Sequence, residues 1–261
     1  MSNKYVLALA GMLCIALCGY TQEDTTFKKT LGEIVISVNK WEQKLNEVPN
    51  KIVKINKLDI LRNNPQTSAD LLSQTGAVFV QKSQLGGGSP MIRGFATNRV
   101  LLVVDGVRMN NAIYRSGNLQ NVISIDALST ETAEVIFGPG SLIYGSDAIG
   151  GVMDFHTLDA RFSKDKKMQV RGSVLSRYST ANKENTIHAD INLGWKKWSV
   201  LSSFSFSKFD DLKMGGNGGQ DSYLRPEYVE RVNNTDNIVQ NSNPRIQRFS
   251  GYDQTNFLQK I

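Results

Sequence analysis

The chain has 261 residues, a formal net charge of +6 and a pI of about 9.2. This length allows one or two domains, and a hydrophobic content of 40% is enough for a folded core. The basic side chains are scattered along the chain and form no stripe. The positive charge therefore indicates a solvated surface, and we expect no nucleic-acid partner.

The sequence shows no arrangement that is typical of an enzyme. It has no P-loop and no hydrolytic or redox constellation. The two histidines, His156 and His188, lie in predicted strands without ligand spacing between them, and the two cysteines, Cys14 and Cys18, lie near the N-terminus. We therefore expect no catalytic residue, no metal site and no cofactor.

Residues 1–22 are predicted to be an export signal. Lys4 precedes an apolar run over residues 5–17, and the small residues Ala16 and Cys18 suit a signal peptidase. The run is shorter than the roughly 20 apolar residues of a membrane-spanning helix. Cys18 leaves lipoprotein processing open as an alternative. We expect an exported protein. If it resides in a membrane, it has to cross that membrane with the strands of a β-barrel.

A short β-prone segment follows a polar stretch at residues 21–30. The segment is Glu33-Ile34-Val35-Ile36-Ser37-Val38, in which an acidic residue leads the apolar ones. Taken alone, it predicts either the first strand of a folded domain or an extended segment that a partner recognises.

The next stretch predicts a small α+β domain. Residues 51–60 indicate a strand that turns into a helix, and Thr67 with Asp70 three positions later marks the start of a second helix. Residues 100–104 are apolar on both faces, which is typical of a covered central strand. Further predicted elements are the turn at 105–106, the strand at 133–137, the helix at 141–144 and the strand at 152–156.

The pattern changes to long alternating strands after about residue 161. Residues 168–178, 186–195 and 198–207 each alternate apolar with polar or small side chains, and residues 254–261 begin another strand. Strands of about ten residues with aromatic ends are typical of a transmembrane barrel, although a soluble sandwich also alternates. Residues 208–248 are polar and rich in Gly and Asn, which predicts a long loop.

Two segments carry a resemblance to a known family. They are PMIRGFATNRVLLVVDGVRMN at 90–110 and EVIFGPGSLIYGSDAIGGVMDF at 134–155. Together they resemble the plug domain of TonB-dependent outer-membrane receptors. The resemblance implies an α+β plug domain followed by the first antiparallel strands of a transmembrane β-barrel. The implied domains are 1–22 signal peptide, 23–45 TonB box and linker, 46–162 plug, and 163–261 the N-terminal part of the barrel.

The resemblance also implies partners and a location. It makes Glu33, Ile34, Val35, Ile36, Ser37 and Val38 a TonB box that adds as a strand to periplasmic TonB. The receptor is expected to be a monomer in contact with outer-membrane lipid, with its N-terminus in the periplasm. Only 99 residues (261 minus 162) follow Phe162, enough for about four strands, whereas a plugged barrel has about 22. We therefore expect a truncated, N-terminal piece of such a receptor.

The resemblance suggests site residues and a ligand class. Arg93, Arg99 and Glu134 fall in plug motifs whose charged side chains pair with barrel residues. Phe137 stands where the family often has Lys or Arg, which departs from that pattern. Loop residues Gln84, Asn111, Tyr114 and Arg115 are candidate ligand contacts, and an iron complex (siderophore or haem) is the expected ligand. Alternatives are cobalamin, a plug-only periplasmic binding or signalling module, and a soluble secreted β-protein.

Overall fold

A computed structural model describes residues 34–35, 43–44, 48–82, 86–96, 99–109, 122–139, 141–145, 148–165, 167–216 and 223–261. The predicted export signal lies outside these ranges. Among the described residues, no helix has the length and apolar character needed to cross a membrane.

The structure consists mainly of strands. The strands are β1 Ile34–Val35, β2 Gln43–Lys44, β3 Ile52–Asn56, β4 Phe79–Gln81, β5 Ser89–Met91, β6 Val100–Val104, β7 Val107–Arg108, β8 Thr130–Phe137, β9 Gly151–Thr157, β10 Gln169–Ser179, β11 Glu184–Gly194, β12 Ser199–Phe209, β13 Leu212–Lys213, β14 Glu227–Val232, β15 Thr235–Gln240, β16 Ile246–Gln247 and β17 Tyr252–Lys260. The helices are α1 Lys57–Asn63, α2 Ser68–Gln74 and α3 Ser141–Tyr144, with a 3-10 turn at Val122–Ser124.

Residues 48–158 form an α+β domain around a five-stranded sheet in the order β3-β8-β9-β6-β7. Strands β6 and β9 are parallel, and the other neighbours are antiparallel. Helices α1 and α2 cover one face through a cluster that includes Leu72, Leu102 and Phe155. The other face carries a second cluster around Leu101 and Val152. The sheet is thus covered on both sides, as the apolar sequence of β6 predicts.

Two local features of this domain follow from its sequence. The Thr67 hydroxyl accepts a hydrogen bond from the Asp70 amide at 3.2 Å, and the Asp70 carboxylate accepts one from the Thr67 amide at 3.1 Å, so the predicted cap of α2 is confirmed. A Cβ added at Gly151 would lie 2.6 Å from the carbonyl oxygen of Ile136. Strands β8 and β9 therefore approach each other at a distance that only glycine permits at this position.

The four-stranded antiparallel sheet β10-β11-β12-β17, here called the wall, follows the α+β domain. Its strands confirm the predicted alternation, with ends that differ by a few residues from the prediction. Polar side chains such as Thr186 and His188 are buried against the α+β domain. Apolar side chains such as Val174 (80% exposed) and Phe257 (69% exposed) point away from it.

The stretch that the sequence predicts as a loop, residues 208–248, contains additional strands. Strands β14 and β15 form a hairpin whose two-residue turn, Asn233-Asn234, has φ angles of 50° and 64°. Positive φ at both positions is the geometry of a type I′ hairpin turn, which asparagine tolerates. The Asn-Asn pair between β-prone residues was therefore a usable hairpin signal.

Candidate functional site

The α+β domain meets the wall along a line of polar contacts, here called the seam. At one end of the seam, Arg177 of β10 and Glu184 of β11 form an ion pair with 2.6 Å between Nη2 and Oε1. Their side chains are 8% and 0% exposed. A buried pair of this kind needs further hydrogen bonds to offset the loss of hydration.

The connection between α1 and α2 supplies those hydrogen bonds. The Gln66 amide donates to Glu184 Oε2 at 2.5 Å, and Arg177 Nη1 donates to the carbonyl oxygen of Pro65 at 2.8 Å and to Asn64 Oδ1 at 3.0 Å. Both members of the ion pair thus contact the α+β domain. The Arg177–Glu184 pair is an anchor between the two parts of the molecule.

The middle of the seam is built around Asp126, which precedes β8. Its Oδ2 accepts hydrogen bonds from the hydroxyls of Ser129 and Ser205, each at 2.5 Å. Because Ser205 uses its one hydroxyl proton for Asp126, His188 Nδ1, 2.6 Å from the Ser205 oxygen, has to be the donor in that contact. The proton of a neutral His188 is therefore on Nδ1, and Nε2 lies 3.4 Å from Asp190 Oδ2.

The other end of the seam is ionic. Lys260 of β17 places Nζ 3.2 Å from Asp105 Oδ2 and 3.3 Å from Asp159 Oδ1. Burial raises the pKa of Asp105, but hydrogen bonds from Thr157 and the charge of Lys260 outweigh it, so the pKa lies below its ordinary value. Asp105 is therefore a carboxylate that the wall holds in its charged form.

Lys57 adds a half-buried ammonium group beside the seam. Its ammonium group donates to the carbonyl oxygen of Leu128 at 2.5 Å. Burial lowers the pKa of Lys57, and the charges of Glu131, Asp190 and Asp126 oppose this change. The cation thus balances a locally acidic set of side chains.

The segment that joins the α+β domain to β10 is also fixed to the wall. The Arg161 amide donates to Asn192 Oδ1 at 2.8 Å, and the Arg161 carbonyl accepts from Asn192 Nδ2 at 2.9 Å and from the Ser199 hydroxyl at 2.8 Å. These hydrogen bonds fix the direction in which the chain enters the wall.

The three predicted ionic residues of the α+β domain lie in different surroundings. Glu134 lies on β8 with 1% of its side chain exposed, and its Oε1 is 3.8 Å from Lys54 Nζ on the neighbouring strand β3. Arg93 is exposed, and its guanidinium lies 5.4 Å from the centre of the Phe137 ring. Arg99 is exposed just before β6. Their pairing with barrel residues stays a prediction.

Phe137 makes contacts that its chemistry allows in place of an ion pair. Besides Arg93, the ammonium group of Lys51 lies 5.5 Å from the ring centre. An aromatic face attracts cations, although more weakly than a carboxylate does. The Phe137 ring is therefore an acceptor for two cations in this chain.

Of the predicted TonB-box residues, Ile34 and Val35 are described. They form β1, in register with Lys44 and Gln43 of β2, and Val35 is 1% exposed in the second apolar cluster. The other predicted TonB-box residues and all four predicted ligand residues lie outside the described ranges, and they are Glu33, Ile36, Ser37, Val38, Gln84, Asn111, Tyr114 and Arg115.

A buried carboxylate on β9 was not predicted from the sequence. Asp154 is 3% exposed, lies opposite Glu134 in the sheet and accepts a hydrogen bond from the Tyr144 hydroxyl at 3.3 Å. Within the described residues, its Oδ1 has no hydrogen-bond partner. Burial, together with the charges of Glu134 and Asp105, raises the pKa of Asp154 to about 6, although His156 and Tyr144 oppose the shift. The signal was an acidic residue inside the apolar run of β9.

The seam residues were also missed, although the pattern held a signal for them. Arg177 and Glu184 occupy inward positions of alternating strands, where a charged residue requires a partner across the interface. Among the described residues, no three His, Cys, Asp or Glu side chains come close enough to hold a metal ion. The polar contacts of the seam hold one part of the molecule to the other.

Comparison with known proteins identifies the α+β domain. Residues 44–152 match the family described as TonB-dependent Receptor Plug Domain. This chain carries the plug domain of TonB-dependent receptors. The α+β domain is called the plug from here on, and the expected fold class, a plug followed by antiparallel strands, is confirmed.

Curated relatives match beyond the plug. The chain is 36% identical over 220 residues to the vitamin B12 transporter BtuB of Vibrio vulnificus (strain CMCP6), which covers 81% of this chain and 34% of that protein. It is 29% identical over 193 residues to the hemin receptor of Yersinia pestis, covering 74% of this chain and 26% of that protein. The chain thus spans about a third of the length of the first relative and about a quarter of the second.

Solved structures agree on the fold. The FrpB iron transporter of Neisseria meningitidis aligns with a TM-score of 0.57 at 18% identity, over 80% of this chain and 28% of that chain. The copper transporter OprC aligns with a TM-score of 0.54 at 20% identity, over 64% of this chain and 25% of that chain.

Proposed function

We propose that this chain acts as part of a TonB-dependent receptor that takes up a scarce nutrient across the outer membrane of a Gram-negative bacterium. The observation that carries the proposal is the arrangement of the wall, which turns its polar side chains to the plug and its apolar side chains outward. Strands β10, β11 and β12 have 11 residues each. A tilted transmembrane strand needs about 9–11 residues.

Lipid is the proposed environment of the outward face. Val174, Ile187 and Phe257 are 80%, 54% and 69% exposed, and they lie on three of the four strands of the wall. Burial of such side chains in lipid is favourable by about 25 cal/mol per Å² of apolar surface. Polar side chains at the inward positions would have no partners in lipid, but the plug provides partners along the seam.

TonB is the proposed partner of residues Glu33–Val38, which would present an extended edge in the periplasm. Ile34 and Val35 already have β conformation, which supports the proposal. Val35 is buried in the second apolar cluster, so we expect this strand to leave the cluster before it adds as a strand to TonB. We expect the release of Val35 to be a step in the coupling.

The test uses proline, which removes a backbone N–H donor. Successive N–H groups of a strand point to opposite edges, so the separate variants Ile34→Pro and Val35→Pro between them affect either edge that TonB could use. In the receptor expressed from its full reading frame, one of them should abolish uptake while ligand binding persists. Ile34→Ala and Val35→Ala keep the N–H groups and serve as controls. Normal uptake by both proline variants would sink the assignment of the TonB box.

An iron complex is the proposed ligand, and its proposed contacts are Gln84, Asn111, Tyr114 and Arg115. Separately, ionic contacts of Arg93, Arg99 and Glu134 with barrel residues would hold the plug inside the lumen of the barrel. The similarity to a hemin receptor supports an iron-bearing ligand. Cobalamin is the second candidate because the identity to a vitamin B12 transporter is higher, at 36%. Competition between hemin, a ferric siderophore and cyanocobalamin for the purified receptor separates these candidates. Tight binding of cyanocobalamin alone would overturn the iron-complex proposal.

A further inference from the structure

The segment that joins the plug to the wall lies against the β11–β12 turn. The Ser163 amide donates to the carbonyl oxygen of Trp195 at 3.1 Å, and the Trp195 amide donates to the carbonyl oxygen of Trp198 at 2.7 Å. Gln169 and Gly194 are partners at the adjoining ends of β10 and β11. The linker and the turn therefore form one continuous surface at one end of the wall. We call it the rim, and its exposed side chains are Phe162, Lys164, Lys167, Met168, Trp195, Lys196, Lys197 and Trp198.

The rim is held in place by partly buried hydrogen bonds. Ser163 is 7% exposed, and its hydroxyl lies 2.8 Å from the carbonyl oxygen of Lys167 and 3.1 Å from that of Asp165. The Asp165 amide in turn donates to this hydroxyl at 3.2 Å. The lysine-bearing backbone is thus folded around a serine that the wall fixes. A surface ordered in advance loses little conformational entropy when it binds.

Large apolar side chains of the rim are exposed. Trp198, Phe162, Met168 and Trp195 have 67%, 57%, 50% and 39% of their surface exposed. They continue the outward apolar face of the wall, where Val170 of β10 is 54% exposed. Tryptophan is enriched where a protein crosses from hydrocarbon to headgroups, because its ring is apolar and its N–H is polar.

The charge of the rim has one dominant sign. Lys164, Lys167, Lys196 and Lys197 are all exposed, and Asp165 is the acidic residue among them. The neighbouring acids Glu131 and Asp159 pair with Arg161 and Lys260 instead. In the part of the chain that the structure describes, these four ammonium groups take part in no ion pair. Lysine stems can lie along an apolar surface while their charges reach toward anionic groups.

We propose that the rim binds the headgroups of anionic phospholipids in the leaflet at this end of the wall. The inference rests on the proposed residence of the wall in a membrane. The tryptophan rings lie at the boundary of the hydrocarbon, and the lysines contact headgroup phosphates. The apolar side chains favour lipid over a nucleic acid, which would leave Met168 and the adjoining Val170 exposed to water.

The test measures quenching of tryptophan fluorescence by brominated lipids in neutral detergent. In the receptor expressed from its full reading frame, every tryptophan except Trp195 and Trp198 is replaced by phenylalanine, including Trp41 of this chain, so these two residues are the emitters. Brominated phosphatidylglycerol and brominated phosphatidylcholine with the same acyl chains are added separately. We expect brominated phosphatidylglycerol to quench half of the fluorescence at a mole fraction at least about tenfold lower than brominated phosphatidylcholine requires. Most of this difference between the two lipids should disappear in about 1 M salt.

Paired variants locate the preference. The double variant Lys196→Gln, Lys197→Gln should reduce the preference for the anionic lipid at least about fivefold. The reason is that each lysine near an anionic surface strengthens binding about fivefold. Lys183→Gln with Lys208→Gln removes the same charge near the opposite ends of β11 and β12 and should leave it unchanged. Lys196→Arg with Lys197→Arg keeps the charge and should preserve the preference, which separates a charge effect from a folding defect.

The outcomes separate this inference from the proposed function. Equal quenching by the two lipids, or a preference that persists in the Lys196→Gln, Lys197→Gln variant, would overturn the rim proposal and leave membrane residence standing. If neither lipid quenches the two tryptophans, both the rim proposal and the placement of the wall in a membrane are wrong.

Discussion

The five-stranded sheet of the plug buries apolar side chains on both of its faces, whereas the four-stranded wall buries a polar face and exposes an apolar one. Both sheets obey the same two-residue period of side chains. The difference lies in what covers them: the plug covers its own sheet with helices and short segments, and the wall is covered on one side by the plug alone. The two-residue period therefore indicates that one face of a sheet is buried. The part of the molecule that packs on this face decides whether its side chains are apolar or polar.

The seam has an energetic consequence for movement of the plug. Although Leu201 and Phe209 of β12 are also buried, its contacts are mainly hydrogen bonds and ion pairs. Examples are those of Asp126, Arg177 and Lys260. Water can replace a hydrogen bond at a net cost of about 0.5–1.5 kcal/mol, whereas exposed apolar surface finds no such replacement. Separation of plug and wall thus costs less per contact than unfolding of the plug core.

The same residue type should have different effects in the two regions. Phe155→Ala removes a fully buried ring from the first plug cluster and should lower the free energy of unfolding by about 3–5 kcal/mol. Phe257→Ala removes an outward ring that is 69% exposed and should change it by less than about 1 kcal/mol. Denaturant unfolding followed by circular dichroism in detergent measures both. Equal losses would mean that Phe257 belongs to a packed interior.

The buried ion pair of the seam gives the second test. Glu184→Met leaves the Arg177 guanidinium buried without its partner and should cost about 3–5 kcal/mol. The double variant Arg177→Met, Glu184→Met removes both charges and should recover most of this loss. The measurement is denaturant unfolding of each single variant and of the double. An undiminished loss in the double variant would show that hydrogen bonds to Asn64, Pro65 and Gln66, rather than an unpaired charge, dominate the effect.

The sequence predicted local elements better than contacts between distant ones. The cap of α2 depends on Thr67 and Asp70, three residues apart, and it could be predicted from local chemistry. The seam joins Gln66 to Glu184 and Asp126 to Ser205, and no local rule brings such distant positions together. The hairpin at Asn233-Asn234 lies between these cases, because its turn residues were visible but the surrounding polar composition favoured a loop.

The two faces of the plug sheet also differ, because the face that carries the second cluster includes charged residues. Lys54, Glu134 and Asp154 lie side by side on three neighbouring strands. Asp154 releases its proton at about pH 6 in the folded chain, compared with an ordinary pKa of 3.8. Between these values the folded state binds more protons than the unfolded state. The contribution of Asp154 to the free energy of unfolding should therefore fall as pH rises from about 4 and level off above about pH 7.

The variant Asp154→Asn isolates this contribution, because an amide of the same shape does not titrate. Between pH 4 and pH 7, the free energy of unfolding should decrease by about 1–3 kcal/mol less in Asp154→Asn than in the parent chain. Denaturant unfolding at each pH measures this difference. Asp105 has a pKa below its ordinary value, so its contribution is lost only as pH falls below about 4, outside this window. Asp236→Asn, which removes an exposed carboxylate of the β14–β15 hairpin, is the control. Parallel pH profiles for the parent and Asp154→Asn would mean that Asp154 is ionised in the folded plug across this range. Lys54, Glu134 and Asp154 would then form a charged network.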